Sequence, residues 1–182
     1  GMGKFGMGLP NASISQCLTT SVYSWESDGN IYKTMLDVNK IQSGEIKEVP
    51  EPIKVKGIPR KYSDMIKSRQ TANENGGTLV IWKNLDRITW VKFEAFFRNS
   101  EILIGRMYRN FIKDNTARIR FAAFDDVDDN LILLEEMYVR ANDPLMVMKE
   151  TSAPVPYNQD PPFELFIEEY DLKVYGSTVN IR

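Results

Sequence analysis

The feature that most constrains this chain is a glycine-rich stretch that runs directly into a predicted helix. From Gly3 to Ser13 the chain reads Gly-Lys-Phe-Gly-Met-Gly-Leu-Pro-Asn-Ala-Ser, with three glycines within six residues. Glycine permits positive φ and a close approach of the backbone to a ligand. Pro10 suits a first helical turn, and no helix breaker follows it as far as Gln16. Because a glycine loop at a helix N-terminus directs unpaired N–H groups toward one point, the stretch predicts a phosphate-binding loop.

Two familiar phosphate loops do not fit this stretch. A Walker A loop requires Ser or Thr after Gly-Lys, whereas Phe5 follows Lys4. A dinucleotide fingerprint requires a strand before its first glycine, and the sequence shows none before Gly3. A structural interpretation also stays open, in which a glycine-rich tail leads into a small-residue helix that packs closely on a sheet.

The residue types in this stretch are more specific than their spacing. The stretch resembles the third sequence box of the GHKL ATPases, a superfamily that includes gyrase B, heat-shock chaperones, sensor histidine kinases, MutL and MORC proteins. In that family the box ends the ATP lid and opens the helix whose N–H groups hold the nucleotide phosphates. A second stretch, Gly77 to Trp82 (Gly-Thr-Leu-Val-Ile-Trp), is similar to the family's late Gly-Thr strand, whose threonine lies near the adenine. The resemblance implies that the nucleotide is bound by Lys4, Phe5, Gly6, Met7, Gly8, Leu9 and Thr78.

The fold class that follows is α+β. The resemblance implies a partial Bergerat-type α/β sandwich, with a mixed or antiparallel sheet that carries helices on one face. Residues 1–98 would form the C-terminal part of the ATP-binding domain, namely the end of the lid, a helix and sheet strands. Residues 99–182 resemble a transducer-like α+β segment.

The sheet of the first domain is predicted from three apolar or β-branched runs. Thr19–Trp25 and Ile31–Val38 flank Asp28-Gly29 and predict a hairpin. Leu79–Trp82 is a continuous apolar run, which is typical of a central strand buried on both faces. Trp25, Trp82 and Trp90 are predicted to lie in the core.

The remaining predictions are local. The predicted helices are one from Ser63 to Ser68 capped by Ser63, one from Trp90 to Arg98, and a second that restarts at Asn99-Ser100 and packs an apolar stripe in the core (Ile104, Met107, Tyr108, Phe111). The predicted strands are a short one around Ile46 that ends at Pro50 and Pro52, one at Ile119–Ala123, one that enters a proline turn at Pro144, and two at Leu172–Tyr175 and Thr178–Ile181. A polar hairpin turn is predicted at Asp125–Asn130 in preference to a calcium loop, and a further segment at Phe163–Glu168.

The residues that perform GHKL chemistry are missing from this sequence. The family's helix carries a glutamate that activates water and, four residues on, an asparagine that holds Mg²⁺. Glu26 and Asn30 have that spacing, but Asp28-Gly29 lies between them and prevents a helix. The adenine-reading Asp-x-Gly-x-Gly box does not occur. We therefore expect the C-terminal half of an ATP-binding domain, with no catalytic residue and no metal ligand, in which ATP and Mg²⁺ belong to the complete protein and ATPase activity needs the missing half. The alternative is a non-enzymatic interaction module derived from that fold.

Composition limits the partners and the compartment. The net charge is -2, which gives no general attraction to nucleic acid, so a nucleic-acid partner has no support from charge. The absence of histidine excludes a phospho-acceptor histidine, and a single cysteine, Cys17, favours a reducing compartment, predicted to be the cytoplasm. No apolar run is long enough to predict a membrane span. An uncovered sheet edge predicts a homodimer, formed through the hairpin Thr19–Val38 or the strand Leu79–Trp82.

Overall fold

The computed structural model describes residues 7–27, 29–67, 76–128, 130–144, 148, 151–153, 170–175 and 177–181. It has the predicted α+β fold, with a four-stranded antiparallel sheet, two small two-stranded sheets and several helices. The chain divides into two compact units, Gly1–Thr89 with Asp128–Asn130, and Trp90–Val127 with Leu131–Arg182. The predicted domain boundary between residues 98 and 99 stays a prediction, and it falls within a continuous helix.

The first unit is built around the four-stranded sheet. Its elements are α1 (Gly8–Ile14), β1 (Cys17–Trp25), β2 (Ile31–Asp37), α2 (Val38–Gln42), β3 (Ile53–Val55), α3 (Arg60–Lys67) and β4 (Gly77–Leu85). The strand order is β3-β2-β1-β4, and each neighbouring pair is antiparallel. The predicted hairpin of β1 and β2 is confirmed, since Trp25 pairs with Ile31 and the Gly29 N–H donates to the Glu26 carbonyl over 3.1 Å.

The two faces of this sheet differ in burial. Side chains alternate along each strand, so Ser21, Tyr23 and the paired Ile81 share one face, and all three are buried. The opposite face carries Val80 and Trp82 of β4, and we call it the α1 face because Trp82 bonds to helix α1 there.

The strand β4 is an edge strand, so its prediction as a central, two-sided strand is wrong. Among the described residues it pairs with β1 alone. Ile81 is buried, but the side chains of Val80 and Trp82 are 38% and 40% exposed, which also corrects the core prediction for Trp82. A continuous apolar run predicts burial on both faces only when both faces are covered. In this sheet only the face that carries Ile81 is covered along β4.

The prolines displace the third strand from its predicted position. Ile41 lies in α2, which begins because Asp37 accepts hydrogen bonds from the Asn39 and Lys40 N–H groups over 3.0 and 3.2 Å. The strand predicted around Ile46 is absent, and β3 instead begins after Pro52 at the edge of the sheet. Proline lacks the N–H that a strand ladder needs, so pairing starts beyond it.

Helix α3 begins earlier than predicted. The carbonyl of Pro59 accepts hydrogen bonds from the Tyr62 and Ser63 N–H groups over 3.0 Å each. Ser63 therefore lies inside the helix and is not its cap. The proline fixes φ in a helix-compatible range and sets the start of the helix.

The second unit joins one long helix to hairpins. Its elements are α4 (Phe93–Met107), α5 (Arg109–Lys113), β5 (Arg120–Val127), β6 (Asn130–Tyr138), β7 (Tyr170–Val174) and β8 (Ser177–Ile181). Helix α4 runs through Asn99-Ser100 without a break, so the predicted restart there is wrong. The Asn99 side chain donates to the Ala95 carbonyl over 2.7 Å, which satisfies the amide without ending the helix.

The apolar stripe predicted for the helix that starts at Asn99-Ser100 is largely exposed, contrary to the core role predicted for it. Met107 and Phe111 are 65% and 56% exposed, Tyr108 is exposed, and Ile104 is half-buried. The core of this unit contains other apolar side chains, among them Phe97, whose ring centroid lies 5.3 Å from that of Phe121. The stripe spans the end of α4, Tyr108 and α5, so the i, i+4 pattern predicted helical structure but neither the break at Tyr108 nor which face is covered.

The hairpins agree with their turn residues. Asp128 takes φ of 51° between β5 and β6, and Asn130 donates to its carbonyl, which confirms the polar hairpin turn. The two predicted C-terminal strands are β7 and β8, which pair antiparallel. The chain leaves β6 after Tyr138, so the strand predicted before Pro144 is wrong. The segment predicted at Phe163–Glu168 lies outside the described residues.

Candidate functional site

Some of the predicted nucleotide-binding residues lie within the described part of the chain, and others lie outside it. Lys4, Phe5 and Gly6 lie outside the described residues. Met7 immediately precedes α1, and its carbonyl accepts a hydrogen bond from the Asn11 N–H over 3.2 Å. The side chains of Met7 and Leu9 are both exposed, so the end of the loop is open to a ligand.

Gly8 does not have the special backbone that the sequence analysis predicts for a phosphate-loop glycine. It is the first residue of α1, it is not among the described glycines with positive φ, and a Cβ built on it would have nothing within 4 Å. A prediction of positive φ at Gly8 is therefore wrong, and close approach of its backbone to a ligand stays a prediction.

Helix α1 is anchored to the sheet by buried polar contacts. The side chain of Ser13 is fully buried, and its Oγ accepts a hydrogen bond of 2.9 Å from Trp82 Nε1. The thiol of Cys17, also fully buried, donates to the Ser13 carbonyl over 3.2 Å and lies 3.2 Å from Thr20 Oγ1. These contacts fix the C-terminal end of α1 on the α1 face, and Gly8 begins the opposite end of the helix.

Thr78 also lies on the α1 face, at the opposite end of β4 from Trp82. It is four residues from Trp82 in β4, so both side chains point to the α1 face, about 13 Å apart along the strand. Its Oγ1 is 3.4 Å from Ser24 Oγ in the paired strand. Val80 lies between the two ends and is partly exposed.

This surface offers the kinds of group that a nucleotide needs. The hydroxyls of Ser24 and Thr78 can donate to or accept from a polar ring edge. Val80 provides an apolar floor, and the N–H groups that begin α1 can meet phosphate oxygens. Within the described ranges, no group of three His, Cys, Asp or Glu side chains is placed to hold a metal ion.

Sequence analysis did not give the packing reason for glycine at positions 76 and 77. Gly76 has φ of 87°, and a Cβ on it would lie 2.7 Å from the Trp25 carbonyl oxygen. A Cβ on Gly77 would lie 2.7 Å from the Trp25 ring. The Gly-Thr stretch therefore begins with glycine because Trp25 packs across it, and the usable signal was the Gly76-Gly77 doublet before an apolar run.

The second unit contains an ion pair between buried Glu101 and half-exposed Arg140 that sequence analysis also missed. The carboxylate of Glu101, on α4, accepts hydrogen bonds from Arg140 Nε, Nη2 and backbone N–H over 2.9, 3.1 and 3.3 Å. The hydrogen bond to Glu101 raises the pKa of Arg140 above its ordinary value, although desolvation opposes this. The pair ties α4 to the segment after β6, so its role is structural. Its spacing of 39 residues gave no local signal.

No model of a protein family, no curated protein and no solved structure matches this chain. The GHKL resemblance accordingly rests on the residues of its two boxes. In the part of the chain that the structure describes, no helix is both long and apolar enough to cross a membrane.

Proposed function

We propose that this chain supplies the phosphate loop and the adenine-side threonine of a GHKL-type ATP site. The observation that carries the proposal is that the two stretches that resemble GHKL boxes meet one face of one sheet. The Trp82–Ser13 hydrogen bond holds the end of the first stretch on the α1 face, and Thr78 of the second stretch points to that face. The proposal does not rest on the dipole of α1, which has seven residues.

In this proposal the residues have separate roles. The N–H groups at Gly8 and Leu9, with the Lys4 ammonium, neutralise phosphate charge. Thr78 contacts the adenine edge, and Phe5, Gly6 and Met7 complete the lid end. When bound, ATP would supply the phosphoanhydride, and Mg²⁺ would be held by a partner or by sequence outside this chain. We place such a site in the cytoplasm, where ATP is available and Cys17 stays reduced.

The proposal predicts weak binding and no turnover by this chain alone. Phosphoryl transfer to water requires an oriented nucleophile and a metal that spreads the developing charge. The sequence offers neither the water-activating glutamate nor the Mg²⁺-binding asparagine of the family. Calorimetric titration with ATP and Mg²⁺ should therefore give an affinity weaker than micromolar, and phosphate release should equal the buffer rate. A submicromolar dissociation constant, or steady hydrolysis, would contradict the proposal.

Variants of equal size separate the adenine contact from general effects. Thr78→Val removes the hydroxyl beside Ser24 while keeping a β-branched side chain. Thr89→Val makes the same change at an exposed position outside the sheet and serves as the control. We expect Thr78→Val to weaken ATP and adenosine binding about tenfold, the scale of one lost hydrogen bond to a ligand, and Thr89→Val to leave both unchanged.

A second candidate function is a non-enzymatic interaction module. The observation that favours it is the partial exposure of apolar side chains on a sheet that has an open edge, notably Tyr32, Val80 and Trp82. The two functions separate by experiment, because the module predicts no shift of the Thr78 amide with any nucleotide. An ATP-dependent shift there favours the nucleotide site.

A further inference from the structure

We propose that the edge of β4 pairs with β4 of a second copy of this chain, antiparallel, to give one continuous sheet across the two copies. This inference does not require nucleotide binding, because it rests first on the backbone edge of the sheet, although Val80 and Trp82 of the α1 face also take part in it. An edge strand presents a row of unpaired N–H and C=O groups, which is a template for another strand.

The two ends of the sheet differ in how they are protected. The edge strand β3 has three residues and follows two prolines, Pro50 and Pro52, which limits pairing from that side. β4 has nine residues and no proline. Among the described residues no element other than β1 pairs with it. The long edge of β4 is therefore the one that a strand can extend.

Symmetry restricts how two copies of β4 can meet. An antiparallel pair of identical strands is related by a two-fold axis normal to the sheet, so each side chain lies opposite one from the same face. The register centred on Ile81 pairs residues 79–83 of the two copies and places Leu79 opposite Lys83, and it stops before Asn84, whose φ of 55° interrupts the extended backbone near the end of β4. In that register the central residue, Ile81, lies opposite its own copy.

The side chains of that register are compatible with each other. Val80 lies opposite Trp82 of the second copy, and the reverse pair repeats across the axis. A β-branched residue opposite an aromatic one is a favourable cross-strand pair, and both side chains are partly exposed in the single chain. The pairing therefore covers apolar surface as well as the open backbone edge.

Charge also favours a second copy as the occupant. Lys83 is the single charged residue in β4, and in this register it lies opposite Leu79. The two Lys83 side chains are then about 13 Å apart along the strands, beyond the screening length at physiological salt. The net charge of -2 on each chain opposes association little.

Light scattering combined with two aspartate variants tests the association. The native chain should be a dimer at low micromolar concentration. Val80→Asp places a charge in the pairing surface of both copies and should weaken the dimer at least tenfold. Tyr32→Asp adds the same charge to the same sheet face two strands away, on β2, and should leave the dimer intact. A native monomer, or a dimer that is equally sensitive to both variants, would overturn the proposal.

Cysteine cross-linking tests the register itself. Leu79→Cys and Lys83→Cys are made in separate chains, and buried Cys17 remains as it is. Because residue 79 of one copy lies opposite residue 83 of the other, oxidation should cross-link a mixture of the two variants and neither variant alone. Circular dichroism checks that both variants are folded. Cross-linking of either variant with itself, or none in a folded dimeric mixture, would overturn the proposed register.

Discussion

At Gly105 the backbone of α4 comes so close to the Arg140 carbonyl oxygen that a Cβ would overlap it, and the Asn142 N–H also lies close. Gly8 is the opposite case, since the space around it is open. Packing within the protein therefore requires glycine at position 105, whereas it does not require glycine at position 8.

These two glycines give the first prediction. Gly105→Ala should lower the free energy of unfolding by about 1–3 kcal/mol, because backbone atoms must move to admit the methyl group. Gly8→Ala should change it by less than about 1 kcal/mol, in the stabilising direction, because alanine restricts the unfolded chain more than glycine does. Urea denaturation of both variants measures the difference. Equal effects would show that the packing at Gly105 is misjudged.

The ion pair gives the second prediction. Arg140→Ala would leave the buried Glu101 carboxylate with the Arg140 backbone N–H as its remaining described donor, so the second unit should lose about 1–3 kcal/mol. Arg98→Ala removes an exposed arginine from α4 and is the matched control, with an expected change within about 0.5 kcal/mol. Equal denaturation midpoints for the two variants would contradict this role of Glu101.

At the scale of elements, one of the contacts that position α1 is a hydrogen bond between side chains 69 residues apart. Trp82→Phe removes the indole donor and leaves the buried Ser13 hydroxyl without it, at a cost of about 1 kcal/mol. Together with Ser13→Ala and the double variant, it forms a cycle whose expected coupling energy is about 0.5–1.5 kcal/mol. A coupling near zero would mean that α1 is held by packing alone.

Elements whose determinants lie close together in the chain were predictable. The β1–β2 hairpin follows from Gly29 between two β-branched runs, and α1 follows from Pro10 and the small residues after it. The position of β4 at the centre or at the edge of the sheet was not predictable, because a central strand and an edge strand of this length can have the same apolar run. The continuity of α4 through Asn99 depended on a side-chain bond to Ala95, which no local preference indicates.

The same distinction applies to the candidate site. Met7, Gly8, Leu9 and Thr78 were chosen from residue type and order, and the sequence could not give the sheet face that carries Thr78 and contacts the end of α1. That face follows from the β1–β4 register and the Trp82 bond. Nucleotide binding stays a prediction for all seven residues, and Lys4, Phe5 and Gly6 also lie outside the described residues.

At the scale of the whole molecule, each of the two units has a core of its own and exposes apolar side chains. In the first unit these are Val80, Trp82 and Tyr32, and in the second they include Met107 and Phe111. Such surfaces are typical of chains that act with a partner. The partner proposed for the first unit is a second copy at the edge of β4, and the proposed nucleotide site lies on the α1 face.

The measurement that tests the nucleotide site most directly is amide chemical-shift mapping with three ligands in parallel. Tripolyphosphate should shift the Gly8 and Leu9 amides and leave Thr78 unchanged, whereas adenosine should do the reverse. ATP with Mg²⁺ should shift all three. If millimolar ATP leaves Gly8, Leu9 and Thr78 unmoved while the chain is folded, the two stretches do not form a nucleotide site and the central claim is wrong.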